Sequence, residues 1–148
     1  MSADKNNETL NTVTKMLIDS QKGYEMARDM AKRDNPTAYT ALANRADDRA
    51  KLVVRFQDEV RYRGETPETE SGFMGEIHRA FTRFSGLFQS DTKAALEAID
   101  DGEDHLAEQI EEILKENGLD ERTHALLKTA SLRAEQGEAF ADRLVGAA

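Results

Sequence analysis

The sequence predicts an all-α protein built as a bundle of four long helices with one additional short helix. Apolar residues recur at three- and four-residue spacing along most of the chain, as they do on the buried face of a helix. Only two of the 148 residues are proline, and charged residues make up 33% of the chain, which is typical of helices with wide solvated faces. We expect one helical-bundle domain over residues 1–148, with a linker at about 64–72.

The first two helices are predicted to form an antiparallel pair. The first covers about Asn6 to Arg33, where Asn35-Pro36 ends it and starts the second. The second ends at Gly64, which suits a left-handed C-terminal cap. A connection this short brings the helices back against each other. Their inward residues are Leu10, Val13, Leu17, Tyr24 and Ala31, then Tyr39, Leu42, Ala46, Val53, Phe56 and Val60.

Three more helices are predicted after the linker. A phenylalanine-rich helix covers about 73–88, Ser90 caps the fourth helix, and Asp120 caps the fifth. The short helix would be about 24 Å long at 1.5 Å per residue, enough to cross the bundle from end to end. Two antiparallel pairs joined by such a crossover form the ferritin-like arrangement, in which the second and third long helices run parallel. The alternative is an up-down bundle with an extra helix.

The composition bears on partners and location. The formal net charge of −9 argues against nucleic-acid binding, which depends on Lys and Arg that neutralise phosphates. Most of the excess is acidic charge at 91–117, which we interpret as a solvated face or a complement to the basic segment 35–64. The chain has no cysteine and no apolar run long enough for a membrane, and its polar first residues lack the apolar core expected of a signal peptide. We expect a cytoplasmic protein without membrane contact, and the composition leaves a protein partner or a homo-oligomer open.

Polar residues interrupt the inward stripes near the helix centres. If the helices align at their middles, these side chains meet in one layer. Opposite charges on the second and fourth helices then predict an Arg49–Glu103 ion pair, buried or half-buried. The interrupting residues are Ser20, Gln21, Arg49, Glu103, Arg133 and Gln136.

A metal site is the alternative interpretation of this layer. A dinuclear carboxylate site in such a bundle takes a Glu from each of two helices and Glu-x-x-His from each of the other two. Only Glu121 to His124 has this spacing, and it lies in the first turn of its helix. A non-standard site for iron or manganese would use Asp19, Glu25 and Glu103, with His105 or His78.

Three short motifs carry a resemblance to a known family. They are Ile18 to Tyr24, Ile77 to Ala80 and Asp101 to Asp104, on the first, third and fourth helices. In this order they resemble a bacterial family of ferritin-like four-helix-bundle proteins described only as a domain of unknown function. The resemblance spans about Leu10 to Leu144. The family's first motif opens with Asp-Gly, whereas Ser20 replaces that glycine here. The resemblance implies a fold related to that of di-iron carriers, in a family without an established site. It also implies an association with stress-induced ferritin-like proteins.

Other motif residues are expected to serve packing. Gly23 would let another helix approach closely, since a mid-helix glycine costs about 1 kcal/mol against alanine. His78 and Arg79 would dock the short helix onto the acidic Asp101 to Asp104 segment through charge-assisted hydrogen bonds.

The function hypotheses follow from these residues. No nucleophile motif or phosphate-binding loop is present, so we expect no catalytic residues and no cofactor. The leading hypothesis is a non-enzymatic bundle, stress-associated or acting as a binding module. The alternatives are a ferritin-like protein that binds iron or manganese, and an oligomeric scaffold with the phenylalanine-rich helix as its interface.

Overall fold

The computed structural model describes residues 3–72, 74–84 and 90–147, and this part of the chain is all-helical. The predicted helices are present, with their ends shifted by a few residues. Phe73 and Phe88 of the predicted short helix lie outside the described residues. The helices are α1 Ala3–Ala31, α2 Pro36–Tyr62, α3 Met74–Phe84, α4 Asp91–Leu114 and α5 Glu121–Ala147.

Capping residues mark the helix ends, and they include the predicted caps Ser90, Asp120 and Gly64. The side chains of Asn35, Ser90 and Asp120 each accept a hydrogen bond from the backbone N–H three residues later, at 3.0, 3.1 and 2.8 Å. Each of these bonds satisfies a donor that the first turn of a helix leaves free. Gly64 and Gly118 have φ of +82° and +89°, a left-handed conformation that glycine adopts without strain after a helix.

Contacts at one end of the bundle fix the helix directions. The Asn6 side chain, near the start of α1, donates to the Gly118 carbonyl and accepts from the Asp120 N–H. Arg63, at the end of α2, bonds both carboxylate oxygens of Asp120 at 2.7 and 2.9 Å. The start of α1 and the end of α2 therefore meet the turn between α4 and α5. It follows that α2 and α4 run parallel, with α1 and α5 antiparallel to them.

The connection from α2 to α4 runs along α1. Asn11 donates to the Thr66 carbonyl and accepts from the Glu68 N–H, and farther along α1 the Asp19 carboxylate accepts from the Gly72 N–H. The next segment, α3, packs against α4 and α1. The side chain of Phe81 is only 7% exposed there. The connection therefore crosses from the end of the bundle where α2 ends to the opposite end, where α4 begins. Helix α3 is part of this crossover.

The core consists of two apolar clusters at different heights, separated by a polar layer at the helix middles. The cluster nearer the α4–α5 turn includes Leu10, Val13, Leu17, Leu52, Val53, Phe56, Val60, Leu106, Ile110, Leu127 and Ala130. The other cluster includes Tyr24, Ala27, Ala31, Leu42, Ala46, Phe81, Leu96, Ile99, Phe140 and Ala141. No helix in the described part of the chain is both long and apolar enough to span a membrane.

Candidate functional site

The polar layer is centred on an ion pair between α2 and α4. The side chains of Arg49 and Glu103 are 4% and 3% exposed. Nη1 of the guanidinium bonds Oε1 of the carboxylate at 2.8 Å, and Nη2 bonds Oε2 at 2.5 Å. The structure therefore brings together the two residues whose pairing the sequence predicts, in the bidentate geometry that gives the strongest charge-assisted hydrogen bonds.

Two hydroxyl groups of α1 complete the surroundings of the carboxylate. Tyr24 donates to Oε2 of Glu103 at 2.8 Å, and Ser20 donates to Oε1 at 3.2 Å. The Ser20 hydroxyl also accepts a short hydrogen bond from Nη1 of Arg49. An ionised carboxylate has about four acceptor positions, and each of these four is engaged by a donor of the chain.

Burial and the charge of Glu103 shift the pKa values of two residues in this layer, Tyr24 and Arg49. Burial raises the pKa of the Tyr24 phenol, and the negative charge of Glu103 raises it further. Burial acts to lower the pKa of Arg49, but the adjacent Glu103 carboxylate outweighs this effect, and the net direction is upward. Both directions keep the Tyr24 phenol protonated as a donor and the Arg49 guanidinium charged.

A glycine on α5 provides the space for the carboxylate. A Cβ at Gly137 would lie 1.8 Å from Oε2 of Glu103 and 2.5 Å from the Tyr24 hydroxyl. Both distances are far below van der Waals contact, so no other residue fits without displacing the pair. All four long helices thus contribute to the layer: hydroxyls from α1, a guanidinium from α2, a carboxylate from α4 and a bare backbone from α5.

Two cavities flank the ion pair. The cavity between α2 and α5, here called the α2/α5 cleft, is about 270 Å³. Its lining residues are Arg45, Asp48, Arg49, Arg133 and Gln136. A second cavity of about 490 Å³, here called the α3 cavity, lies between α1, α3 and α4. Its lining includes Ser20 and Glu103 beside apolar residues such as Phe81 and Ile99.

The residues predicted as metal ligands are held by other partners or remain apart. Asp19, Glu103 and His105 all line the α3 cavity, but Glu25 does not. The Asp19 carboxylate accepts bonds from Ser71 and from a backbone N–H in the crossover. Glu25 accepts from Gln21 at 3.2 Å and lies 3.5 Å from the Lys22 ammonium. In the described part of the chain, these four residues do not form a group with ligand atoms within 4.8 Å of one another, and neither does the set with His78 in place of His105.

The predicted docking contacts of α3 need correction. His78 and Arg79 are exposed, and within the described residues neither bonds the Asp101 to Asp104 segment. The charged contact is made instead by Arg83, at 3.3 Å from the Asp101 carboxylate. Arg79 and Arg83 are one helical turn apart on the same side of α3, so their positions along the helix, and not the face, distinguish them. Phe81 is buried, with Ile77 and Phe84 packed against the same cluster, so apolar contacts hold α3 in place.

The predicted close approach at Gly23 is also wrong. A Cβ there would lie 4.0 Å from the Phe81 ring, which is ordinary van der Waals contact. Glycine is required on α5 instead, at Gly137. The sequence does mark this position. Gly137 is a mid-helix glycine among the inward-facing residues of α5, one residue after Gln136 and in the same layer as Glu103. Tyr24 was likewise predicted only as a core residue, because the spacing of apolar residues does not indicate a partner for its hydroxyl group.

A group of carboxylates lies between α4 and α5, apart from the ion pair. Ligand atoms of Asp100, Glu138 and Asp142 lie within 4.8 Å of one another. Burial and the hydrogen bond and charge of Asp142 raise the pKa of Asp100 to about 7. Its pKa in the unfolded chain is about 3.9. The folded protein therefore holds more protons than the unfolded chain between these values, and its free energy of unfolding falls as pH rises from about 4 to 7.

Replacing Asp100 with Asn is expected to stabilise the protein at pH 8, because it removes a negative charge from this group. The melting temperature should rise by a few degrees at pH 8. The difference should disappear near pH 4, where the native aspartic acid is already neutral. Melting curves at both pH values test this. Glu135→Gln is the control, since Glu135 is an exposed carboxylate on α5 outside the group. An equal rise in melting temperature at both pH values would contradict the explanation by repulsion among these carboxylates.

Comparison with known protein families gives a match for most of the chain. A family model described as "Domain of unknown function (DUF2383)" matches residues 5–116. No curated protein and no solved structure matches the chain. The matched range contains α1 to α4, and therefore Ser20, Tyr24, Arg49 and Glu103, whereas Gly137 lies beyond it.

Proposed function

The chain belongs to the family described as Domain of unknown function (DUF2383), and since this description assigns no activity, we propose from the geometry of the chain that it is a non-enzymatic, ferritin-like helical bundle that acts as a binding module. The helix order supports the ferritin-like part of the proposal. Helices α1 and α2 form one antiparallel pair, α4 and α5 form the other, and a long crossover joins the parallel α2 and α4. This is the connectivity of ferritin-like bundles.

The observation that carries the non-enzymatic part is the saturated Glu103 carboxylate. In a metal-binding bundle of this connectivity, carboxylates at the helix middles hold cations. Here the guanidinium of Arg49 takes that place, and the hydroxyls of Tyr24 and Ser20 fill the remaining acceptor positions. A cation would have to displace a buried arginine, whose loss of partner would itself be costly. The same donors leave Glu103 without a free position for a role as general base.

The two cavities support a binding role. The α3 cavity, at about 490 Å³, falls within the range of roughly 300–1,000 Å³ typical of ligand pockets. Its lining combines apolar residues such as Phe81 and Ile99 with polar ones such as Ser20 and His105, so it offers a ligand both apolar contact and hydrogen bonds. The crossover helix α3 covers this cavity and is held mainly by Phe81 and its apolar neighbours.

A second candidate function is the binding of iron or manganese. It draws support from Asp19, Glu103 and His105, which line the same cavity. For this function, Glu103 would have to exchange Arg49 for a metal, and Asp19 would have to release the crossover. The structure provides no vacant acceptor on Glu103, so we favour the binding module.

Metal analysis separates the two functions. Elemental mass spectrometry of the untagged protein should find well below one iron or manganese per chain. In the Asp100→Asn variant, which removes one carboxylate from the acidic group between α4 and α5, added Fe(II) or Mn(II) should leave the melting temperature unchanged, because the acceptor positions of Glu103 are already filled. About one or two metals per chain, with a melting temperature that rises on metal addition, would overturn the proposal and favour the metal-binding function.

A further inference from the structure

We propose that the α2/α5 cleft binds a small oxyanion, through the phosphate or carboxylate group of its ligand. This inference rests on the proposed binding module and names its ligand class. The cleft, at about 270 Å³, is smaller than the pockets of drug-sized ligands, so it suits a small ion or a compact anionic metabolite. Its wall is polar and carries three guanidinium groups, from Arg45, Arg49 and Arg133.

The charge of the cleft is opposite to that of the chain. Three arginines and one carboxylate, Asp48, line it, in a chain with a formal net charge of −9. The charge of Arg49 is balanced by Glu103 on its far side. Arg45 and Arg133 form no ion pair within the described residues, so their positive charges remain available to an anion in the cleft. Guanidinium groups without carboxylate partners at a cleft attract anions to it.

Two of the arginines are already held in place. The bidentate bond to Glu103 fixes the Arg49 side chain, and this bond uses Nη1 and Nη2, which leaves its Nε–H available. The guanidinium of Arg45 lies 4.6 Å from the centre of the Phe140 ring on α5, a cation–π contact that restrains it. Restrained donors lose little conformational entropy when they bind a ligand. The cleft therefore offers preorganised cationic donors.

The chemistry of the lining selects the ligand class. The planar fork of arginine matches the paired oxygens of phosphate and carboxylate groups, and it repels metal cations. The Gln136 amide adds a neutral donor from α5. Asp48 is exposed and would repel a second negative group on its side of the cleft. A single small oxyanionic group fits this arrangement, whereas a highly charged polymer such as nucleic acid does not.

Isothermal titration calorimetry at fixed ionic strength tests the proposal. Inorganic phosphate and acetate are titrated separately into the full chain, and at least one should bind saturably with one site per chain. The tighter of the two identifies the ligand group as phosphate or carboxylate. Arg133→Gln and Arg45→Gln should each weaken binding about tenfold, because each removes a charged hydrogen-bond donor. Circular dichroism melts verify that each variant is folded.

Two control variants make the same change in charge outside the cleft. Arg143→Gln on α5 and Arg55→Gln on α2 replace exposed arginines and should leave the affinity unchanged. Absence of saturable binding for both anions would overturn the oxyanion site, as would equal weakening by the control variants. A chain that binds neither anion and carries no metal keeps the proposed binding module, through the α3 cavity. Stoichiometric iron or manganese would overturn the proposed function itself, whatever the anions do.

Discussion

Replacing Arg49 with Met is expected to lower the free energy of unfolding by about 3–5 kcal/mol. The methionine fills part of the space but leaves the Glu103 carboxylate, 3% exposed, without a counter-charge in the polar layer. The hydroxyls of Tyr24 and Ser20 still donate to it, yet they cannot balance a full negative charge away from water. Glu103→Leu should have an effect of similar size, because it leaves the buried Arg49 guanidinium without its counter-charge.

The double variant Arg49→Met with Glu103→Leu should recover most of this loss. Replacing both members of a buried pair by apolar side chains is often neutral or even stabilising, since the desolvation cost of two ions disappears with their attraction. Urea denaturation of the wild type, both single variants and the double variant completes a double-mutant cycle. Arg55→Met, at an exposed position of the same helix, is the control and should change the free energy of unfolding by less than about 0.5 kcal/mol.

A double variant that is as unstable as the sum of the singles would contradict this account. It would mean that the two side chains contribute separately, and that the hydrogen bonds between them matter little to stability. A recovered double variant carries a second implication. The pair would then be retained for something other than stability, such as the register of the helices or the position of Arg49 at the α2/α5 cleft.

The helices and the main polar residues could be predicted from the sequence because both depend on local patterns. Apolar spacing fixed the inward face of each long helix, and Asn35, Ser90 and Asp120 marked where helices begin. Arg49 and Glu103 stood out as charged residues on inward lines. Opposite charges at matching heights then predicted their pairing, and the structure places them in contact.

The rest of the layer could not be predicted, because it depends on how the helices are rotated and spaced against each other. The hydroxyl of Tyr24 reaches Glu103 only at the observed rotation of α1. The ion pair with Asp101 on α4 is formed by Arg83, one helical turn after Arg79, and the charge pattern alone does not resolve this difference. The two cavities likewise arise from the separation of helices, which sequence spacing does not encode. The space at Gly137 is the most consequential of these features.

Replacing Gly137 with Ala is expected to lower the free energy of unfolding by about 3 kcal/mol or more. The added methyl group would lie 1.8 Å from Oε2 of Glu103 and 2.8 Å from its Cδ. A carboxylate at the end of a flexible side chain could normally move aside at little cost. This one is held by Arg49, Tyr24 and Ser20, so its displacement breaks several hydrogen bonds at once.

Gly102→Ala is the matched control for this prediction. Gly102 lies in mid-helix on α4, next to Glu103 in sequence, and a Cβ there would meet no atom within 4 Å. The same substitution should therefore stabilise the chain, by roughly 0.5–1 kcal/mol, through the lower backbone entropy of alanine in the unfolded state. Opposite signs at Gly137 and Gly102 would separate the steric effect from helix propensity.

The cause of the loss at Gly137 can be assigned with a second background. When Glu103 is changed to Ala together with Arg49 to Met, the carboxylate that the new methyl group would meet is gone. Gly137→Ala should then cost far less than in the wild type, because the Tyr24 hydroxyl no longer has the partner that holds it against α5. An equal cost in both backgrounds would place the clash elsewhere, in the backbone packing of α5. A reduced cost would identify the glycine as the residue on α5 that allows a charged pair to occupy the centre of the bundle.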